Sequence, residues 1–378
     1  MYQNTAEITA FADEMWSKIE GKMEKVVPRT IGKIPYIARN GVYDDRSSDT
    51  LINSWTNGFW SAWMWLLYVG SKKDIYMEAA RKAEDQLDAA LQKYDKLDHD
   101  VGFLWHISSG VNYRLTKDEK SRNRTLFAAS TLASRYNETG RFIRAWNGEE
   151  KQGWAIIDCM MNLPLLYWAS EELQDPRFAM IAKAHADTTM ENHIRKDGSV
   201  RHIVIYDYEN GGMLDDLGGQ GYEKGSSWSR GQSWGLYGFV LNYNHTGKQE
   251  YLDTAKRIAN YFIASVADTD YLPLCDFRAP LSPVLYDSTA GAIASCGLIE
   301  LAKILPENEG RIYINAALKI LEAMNEKFCN WDQEYDSILQ YGTEAYANER
   351  GRHQPIIYGD YYMTQAIYKL KGFGQLFE

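Results

Sequence analysis

Three stretches of the chain strand polar side chains among aromatic and aliphatic ones, and each could do chemistry. In the first, Asp98, His99 and Asp100 stand ahead of the apolar run Val101-Gly102-Phe103-Leu104-Trp105. Carboxyl and imidazole groups are the usual movers of protons near neutral pH. An Asp ahead of a helix is also a preferred N-cap, so a structural reading stands beside the catalytic one. In the second, Asp158 is isolated in Trp154-Ala155-Ile156-Ile157-Asp158-Cys159-Met160-Met161, just before the helix start Asn162-Leu163-Pro164. A desolvated carboxyl keeps its proton toward neutral pH, as a general acid must. The alternative is an Asp satisfied by backbone amides. In the third, the glycine-rich Gly218-Gly219-Gln220-Gly221 leads to Trp228-Ser229-Arg230-Gly231-Gln232-Ser233-Trp234. Glycines let the backbone approach a ligand, Arg230 is a planar cationic fork for a carboxylate, and two tryptophans can stack on a sugar ring. A lone His202 carries less, since a single histidine in a strand is usually structural.

Other chemistries lack their residues. No HxH, HExxH or Asp-rich calcium loop occurs, and no GxGxxG or GxxxxGK, so neither a metal nor a nucleotide cofactor is expected. Cys159, Cys275, Cys296 and Cys329 are widely spaced and read as reduced thiols. A net charge of −10 argues against a nucleic-acid or anionic-membrane surface. The 12 tryptophans, 26 tyrosines and 12 phenylalanines, 13% of the chain, suit an aromatic-walled cleft as well as a core. The N-terminal residues lack a basic stretch followed by an apolar run, and FWSAWMWLLYVG (59–70) is too short to span a bilayer. The expectation is a cytoplasmic protein.

The elements that must position these residues are helices. Ile8, Phe11, Met15, Trp16, Ile19, Met23 and Val26 recur at three- and four-residue steps. Similar periodicity covers 57–69, 74–94, 104–115, 120–137, 163–173, 176–194, 231–244, 249–266, 288–304, 310–328 and 360–370, giving twelve helices. Only 200–208, VRHIVIYDY, looks clearly strand-like. An aromatic residue precedes Ala by four positions in Tyr76/Ala80, Phe178/Ala182, Tyr251/Ala255 and Tyr313/Ala317, each following a short polar loop and an apolar helix. Apolar helices alternating with amphipathic ones predict an all-α fold, a closed ring of six helical hairpins, in one domain spanning 1–378. Loops leading into the inner helices of such a ring surround its central cavity.

The motifs SWTNGFW (54–60), LDHDVGFL (97–104), IIDCMMNLPLL (156–166), SSWSRGQSWGLYGF (226–239), DSTAGAIASCGL (287–298) and YGDYY (358–362) resemble, in this order, the unsaturated glucuronyl hydrolases of glycoside hydrolase family 88. The resemblance implies an (α/α)6 barrel that removes a 4-deoxy-4,5-ene uronic acid from the non-reducing end of lyase-generated oligosaccharides. It implies that Asp158 is the general acid and base of a vinyl-ether hydration, with Asp100 the second essential carboxylate. Trp55, His99, Trp146, His202, Gln220, Arg230 and Trp234 fall on pocket positions, Arg230 and Gln220 on the uronate. The implied partner is an unsaturated disaccharide, with no nucleic acid, membrane or cofactor.

Streptococcal members that favour sulfated glycosaminoglycan disaccharides carry a Ser- and Lys-containing loop near the C-terminus. Here Asn348-Glu349-Arg350-Gly351-Arg352-His353-Gln354-Pro355 lacks that pattern, although Arg350, Arg352 and His353 are available to a sulfate. The rival readings are an unsaturated rhamnogalacturonyl hydrolase and a carbohydrate-binding barrel without activity. The pairing of RGQSW with GLYGF and the presence of both aspartates favour the glucuronyl enzyme.

Overall fold

The computed structural model describes residues 5–376. Its thirteen α-helices are α1 Thr5–Thr30, α2 Phe59–Ser71, α3 Asp74–Gln86, α4 Asp88–Leu91, α5 Ser109–Thr116, α6 Glu119–Ala133, α7 Leu163–Leu173, α8 Pro176–Asn192, α9 Ser229–Thr246, α10 Gln249–Ala267, α11 Ser288–Ile304, α12 Glu307–Lys327 and α13 Ile357–Leu370. Helix α4 is one turn that continues α3 after a break at Leu87, so the long helices number twelve as expected.

The hairpins are α2/α3, α5/α6, α7/α8, α9/α10 and α11/α12. The sixth is made by the two ends of the chain, α1 packing against α13. Helices α7, α9, α11, α13, α2 and α5 touch in succession, and the turn 102–106 ahead of α5 packs on α7, which closes the inner ring of an (α/α)6 barrel. Inner helices α2, α9, α11 and α13 are buried on every side: in α2, nine residues from Phe59 to Leu67 are buried without a break. The outer helices bury one stripe, and the aromatic–alanine pairs lie on it. Tyr76, Ala80, Tyr251, Ala255 and Ala317 are essentially inaccessible, so each alanine admits the close approach that its aromatic neighbour fills.

Strands are more numerous than the sequence suggests. The 200–208 segment contributes β6 Ile203–Tyr206, but it sits between β5 Trp154–Ile156 and β7 Met213–Leu217 in an antiparallel sheet. Two further hairpins pair β1 Ala38–Arg39 with β2 Val42–Tyr43 and β3 Tyr136–Asn137 with β4 Phe142–Ile143. Two- and three-residue strands are too short to carry an alternating pattern. A second difference falls where the expected helix 104–115 begins. A π-helical turn, Gly102–His106, precedes α5, the irregularity that often marks a functional segment.

Candidate active site

The expected site residues lie on loops, on turns and in the first two turns of a helix, around the ends of the inner helices. Trp55 opens the 3₁₀ turn Trp55–Gly58 before α2, and Asp100 precedes the π turn before α5. Asp158 sits in the 3₁₀ turn Ile157–Met161 between β5 and α7. His202 and Gln220 flank the β6–β7 hairpin, while Arg230 and Trp234 start α9.

One cavity of about 200 Å³ brings Trp55, Asp100, Trp146, Asp158, Gln220, Arg230 and Trp234 together. Ile156 and Trp228 complete its wall. The volume falls below the range of about 300–1,000 Å³ usual for drug-sized ligands and suits a single sugar ring. A larger cleft of about 350 Å³ lies beside Pro280, Leu281, Pro283 and Val284, but no expected site residue reaches it. His99 and His202 stand behind the cavity wall, buried next to the two carboxyls. His99 Nε2 lies 3.5 Å from Asp100 Oδ2, and His202 Nε2 lies 3.9 Å from Asp158 Oδ1.

The aspartates of the first stretch divide their roles. Asp98 Oδ1 accepts the backbone N–H of Asp100 at 2.9 Å, so Asp98 shapes the turn and Asp100 is free to face the cavity. Burial, and then the charges of Asp98 and Asp158, hold the Asp100 carboxyl well above its ordinary value. Asp98, His99 and Asp100 offer three donor atoms within 4.8 Å of one another.

Backbone amides leave one oxygen of Asp158 unsatisfied. Its Oδ2 is buried with no hydrogen-bond partner. Burial pushes its carboxyl up to about 7, with the Arg230 charge pulling the other way. Its neighbour His202 is held neutral, because burial takes the imidazole down to about 3. His202 Nδ1 accepts the backbone N–H of Gln220 at 3.0 Å, so the ring proton must sit on Nε2, the nitrogen nearer Asp158. Gly219 permits this bond. It has φ of +59°, and a Cβ there would lie 2.1 Å from His202 Nδ1.

The structure narrows the expectation for Arg230. Its Nη1 donates to Asp287 Oδ2 at 2.6 Å and to Thr343 O at 2.7 Å, and its Nη2 to Glu344 O at 2.7 Å. Trp228 covers one face, 4.5 Å from the ring centroid. The buried Nε alone lacks a partner. Gln220 is similarly occupied: its Nε2 donates to Glu344 O at 2.6 Å, and its carbonyl accepts from Tyr346 N at 2.8 Å. Both residues therefore hold the 343–346 loop in place and present the pocket with only part of their polar surface. Arg352 is spent on Tyr346 O and His353 Nε2 on Tyr286 N, which leaves Arg350 as the exposed cation of the 348–355 loop.

Two supporting residues escaped the sequence reading. Asn162 was legible only as a helix start, yet its Oδ1 accepts Phe103 N at 2.8 Å and so ties the Asp100 loop to the Asp158 turn. Asp287, in the DSTAG motif, carries the counter-charge of Arg230 while its other oxygen caps α11 through Thr289 N. The Asp-Ser-Thr triplet signals the cap, but the ion pair has no local signature. Asp360 of YGDYY is structural: buried, it accepts Ile338 N, Leu339 N and the Tyr43 hydroxyl.

A ring of helical hairpins whose mouth holds two buried carboxyls among tryptophans defines a barrel-type glycoside hydrolase. The chain belongs to Glycosyl Hydrolase Family 88, whose model matches residues 23–377. It is 34% identical over 372 residues to the unsaturated glucuronyl hydrolase of Bacillus sp. (strain GL1), covering 94% of this chain and 97% of that one. Identity to the unsaturated chondroitin disaccharide hydrolase of Streptococcus pneumoniae is 36% over 321 residues, covering 83% and 81%. The crystal structure of unsaturated glucuronyl hydrolase from Streptococcus agalactiae superposes with a TM-score of 0.90 at 28% identity, covering 100% of this chain and 95% of that one. Among the described residues no helix is long and apolar enough to cross a membrane.

Proposed function

We propose that the protein hydrates the C4=C5 bond of an unsaturated uronate at the non-reducing end of a short oligosaccharide, with Asp158 as general acid and then base. The observation that carries this reading is the unpartnered Asp158 Oδ2, on a carboxyl that burial holds near pH 7 in a cavity the size of one sugar. The protonated carboxyl delivers its proton to C4 of the vinyl ether. The carboxylate so formed then takes a proton from a water that attacks C5. One molecule of water is thereby added across the double bond. The C5 hemiketal opens to a ketone, the C1 hemiacetal is freed, and the remaining sugar leaves with its own hydroxyl. The separation rules for ordinary two-carboxylate glycosidases do not govern this hydration.

Asp100, kept uncharged by its surroundings, donates a hydrogen bond to the sugar without repelling its carboxylate. His202 presents Nε2–H beside Asp158 and stabilises the anion that proton delivery leaves behind. Trp55, Trp146 and Trp234 exclude water, which strengthens each of these interactions. Arg230 orients the uronate through its field and its remaining Nε. Glycosaminoglycan disaccharides are the proposed source, supported by the disaccharide activity of the streptococcal relative. The enzyme acts as a single catalytic domain in the cytoplasm, a setting in keeping with its four free cysteines.

The test follows ultraviolet absorbance of the conjugated bond with lyase-generated disaccharides from hyaluronan, chondroitin, heparin and pectin. Loss with the glycosaminoglycan fragments is expected. Loss confined to pectin fragments would favour the rhamnogalacturonyl reading, and no loss with any substrate would overturn the proposal.

A further inference from the structure

Behind the loop that carries Trp146 lies a second cleft of about 360 Å³, larger than the catalytic cavity. Tyr94, Arg135, Tyr136, Arg144, Gln152 and Tyr208 form its walls. Tyr94 and Tyr208 are exposed, at 59% and 40%. Large aromatic faces left open to water at a concave surface are what a sugar ring packs against, and each phenol adds a hydrogen-bonding group.

The charge arrangement is unusual for a chain at −10. Arg135 donates to Arg144 O, Ala145 O and Asn147 Oδ1, and Arg144 donates to Gly148 O. Among the described residues neither guanidinium pairs with a carboxylate. Burial lowers the pKa of the Arg135 guanidinium, the charge of Asp98 opposes this, and the neighbouring charge of Arg144 adds to it. Arg135 has the opposing charge of Asp98 nearby, whereas Arg144 pairs with no carboxylate among the described residues, and a cation so placed favours a cleft that holds an anion. The Gln152 amide is likewise uncommitted among the described residues and lies on the same wall.

We propose that this cleft is a second binding site, separate from the catalytic cavity, for a sugar that carries a carboxylate or a sulfate. Arg144 supplies the charge-assisted contact, the tyrosines supply the packing face, and Arg135 supplies field while it holds the main chain ahead of Trp146. The site does not depend on the assignment of Asp158, because occupancy is read without turnover.

Calorimetric titration tests it with a chondroitin 6-sulfate tetrasaccharide that has a saturated non-reducing end. The full chain and its Arg144→Gln, Tyr94→Ala and Trp234→Ala variants are compared at low salt, each checked by thermal melting. Binding is expected to be about tenfold weaker in Arg144→Gln, to weaken in Tyr94→Ala and to persist in Trp234→Ala. The first two variants hydrolyse the short unsaturated substrate at the parent rate. Should Arg144→Gln melt early, the exposed Tyr94→Ala decides. No binding by the parent, or binding lost only in Trp234→Ala, overturns the proposal. A hyaluronan tetrasaccharide separates carboxylate from sulfate recognition. Equal binding of neutral maltotetraose removes the role of charge, and equal binding of inorganic sulfate removes that of the sugar; either result overturns the assignment.

Discussion

The backbone N–H of Gln220 donates to His202 Nδ1 at 3.0 Å, and this one bond decides which face of the imidazole meets the proposed acid. With Nδ1 an acceptor, Nε2 carries the proton and lies 3.9 Å from Asp158 Oδ1. In the other tautomer the imidazole would present a lone pair there and repel the carboxylate that the proposed proton delivery creates. In the proposed chemistry Gln220 would therefore act through its main chain, its side chain being occupied with Glu344.

Asp158→Asn should lower turnover by about 10²–10⁴-fold or more, the usual contribution of a positioned general acid and base. Single-turnover loss of absorbance, together with an unchanged circular dichroism spectrum, checks it. Turnover near the parent rate would move the acid elsewhere.

The pH profile follows from the same carboxyl. Asp158 is active as an acid only when protonated, and its group is pushed up to about 7, so kcat/KM should fall as pH rises through about 7. His202, held at about 3, should contribute no limb near neutrality.

Stability should respond to pH in the same window. A carboxyl whose value is raised on folding binds its proton more tightly in the native state. Its stabilising contribution is complete below the ordinary value near 3.8 and is lost as pH rises through about 7. Asp158→Asn removes this dependence. The variant should gain melting temperature relative to the parent at pH 8 and not at pH 4, as scanning calorimetry would register.

Gly219→Ala probes the tautomer lock. A left-handed alanine costs about 1 kcal/mol, and its Cβ would press on His202 Nδ1 at 2.1 Å. The imidazole must shift, so both kcat and the melting temperature should drop. An imidazole nitrogen shift measured by NMR separates a displaced ring from a merely slower enzyme.

Asp287→Ala should destabilise the fold by about 3–5 kcal/mol, because it leaves Arg230 buried without its counter-charge. Denaturant unfolding measures this. A loss below about 1 kcal/mol would mean that the carbonyls of Thr343 and Glu344 hold the guanidinium by themselves.

By itself, the sequence determined the helical ring and the acids at its mouth. Hydrophobic period and local turn signals are short-range properties, and inner and outer helices differ visibly in how many of their faces are apolar. An aspartate stranded in Ile156-Ile157-Asp158-Cys159 announces desolvation without any coordinates. Tertiary structure alone decided what each polar group has left to offer a ligand. Arg230 reads as a free fork until Asp287, 57 positions away, and the 343–344 carbonyls are seen to occupy it. His202 reads as an ordinary strand histidine until Gln220 N, across the β6–β7 hairpin, fixes its proton. Asp98 and Asp100 read as equals until one is found closing the turn that aims the other. Hydrogen bonds and ion pairs act over about 3 Å in space at any distance along the chain. The residue types that could do chemistry were therefore legible in the sequence, and which of their atoms remain available was not.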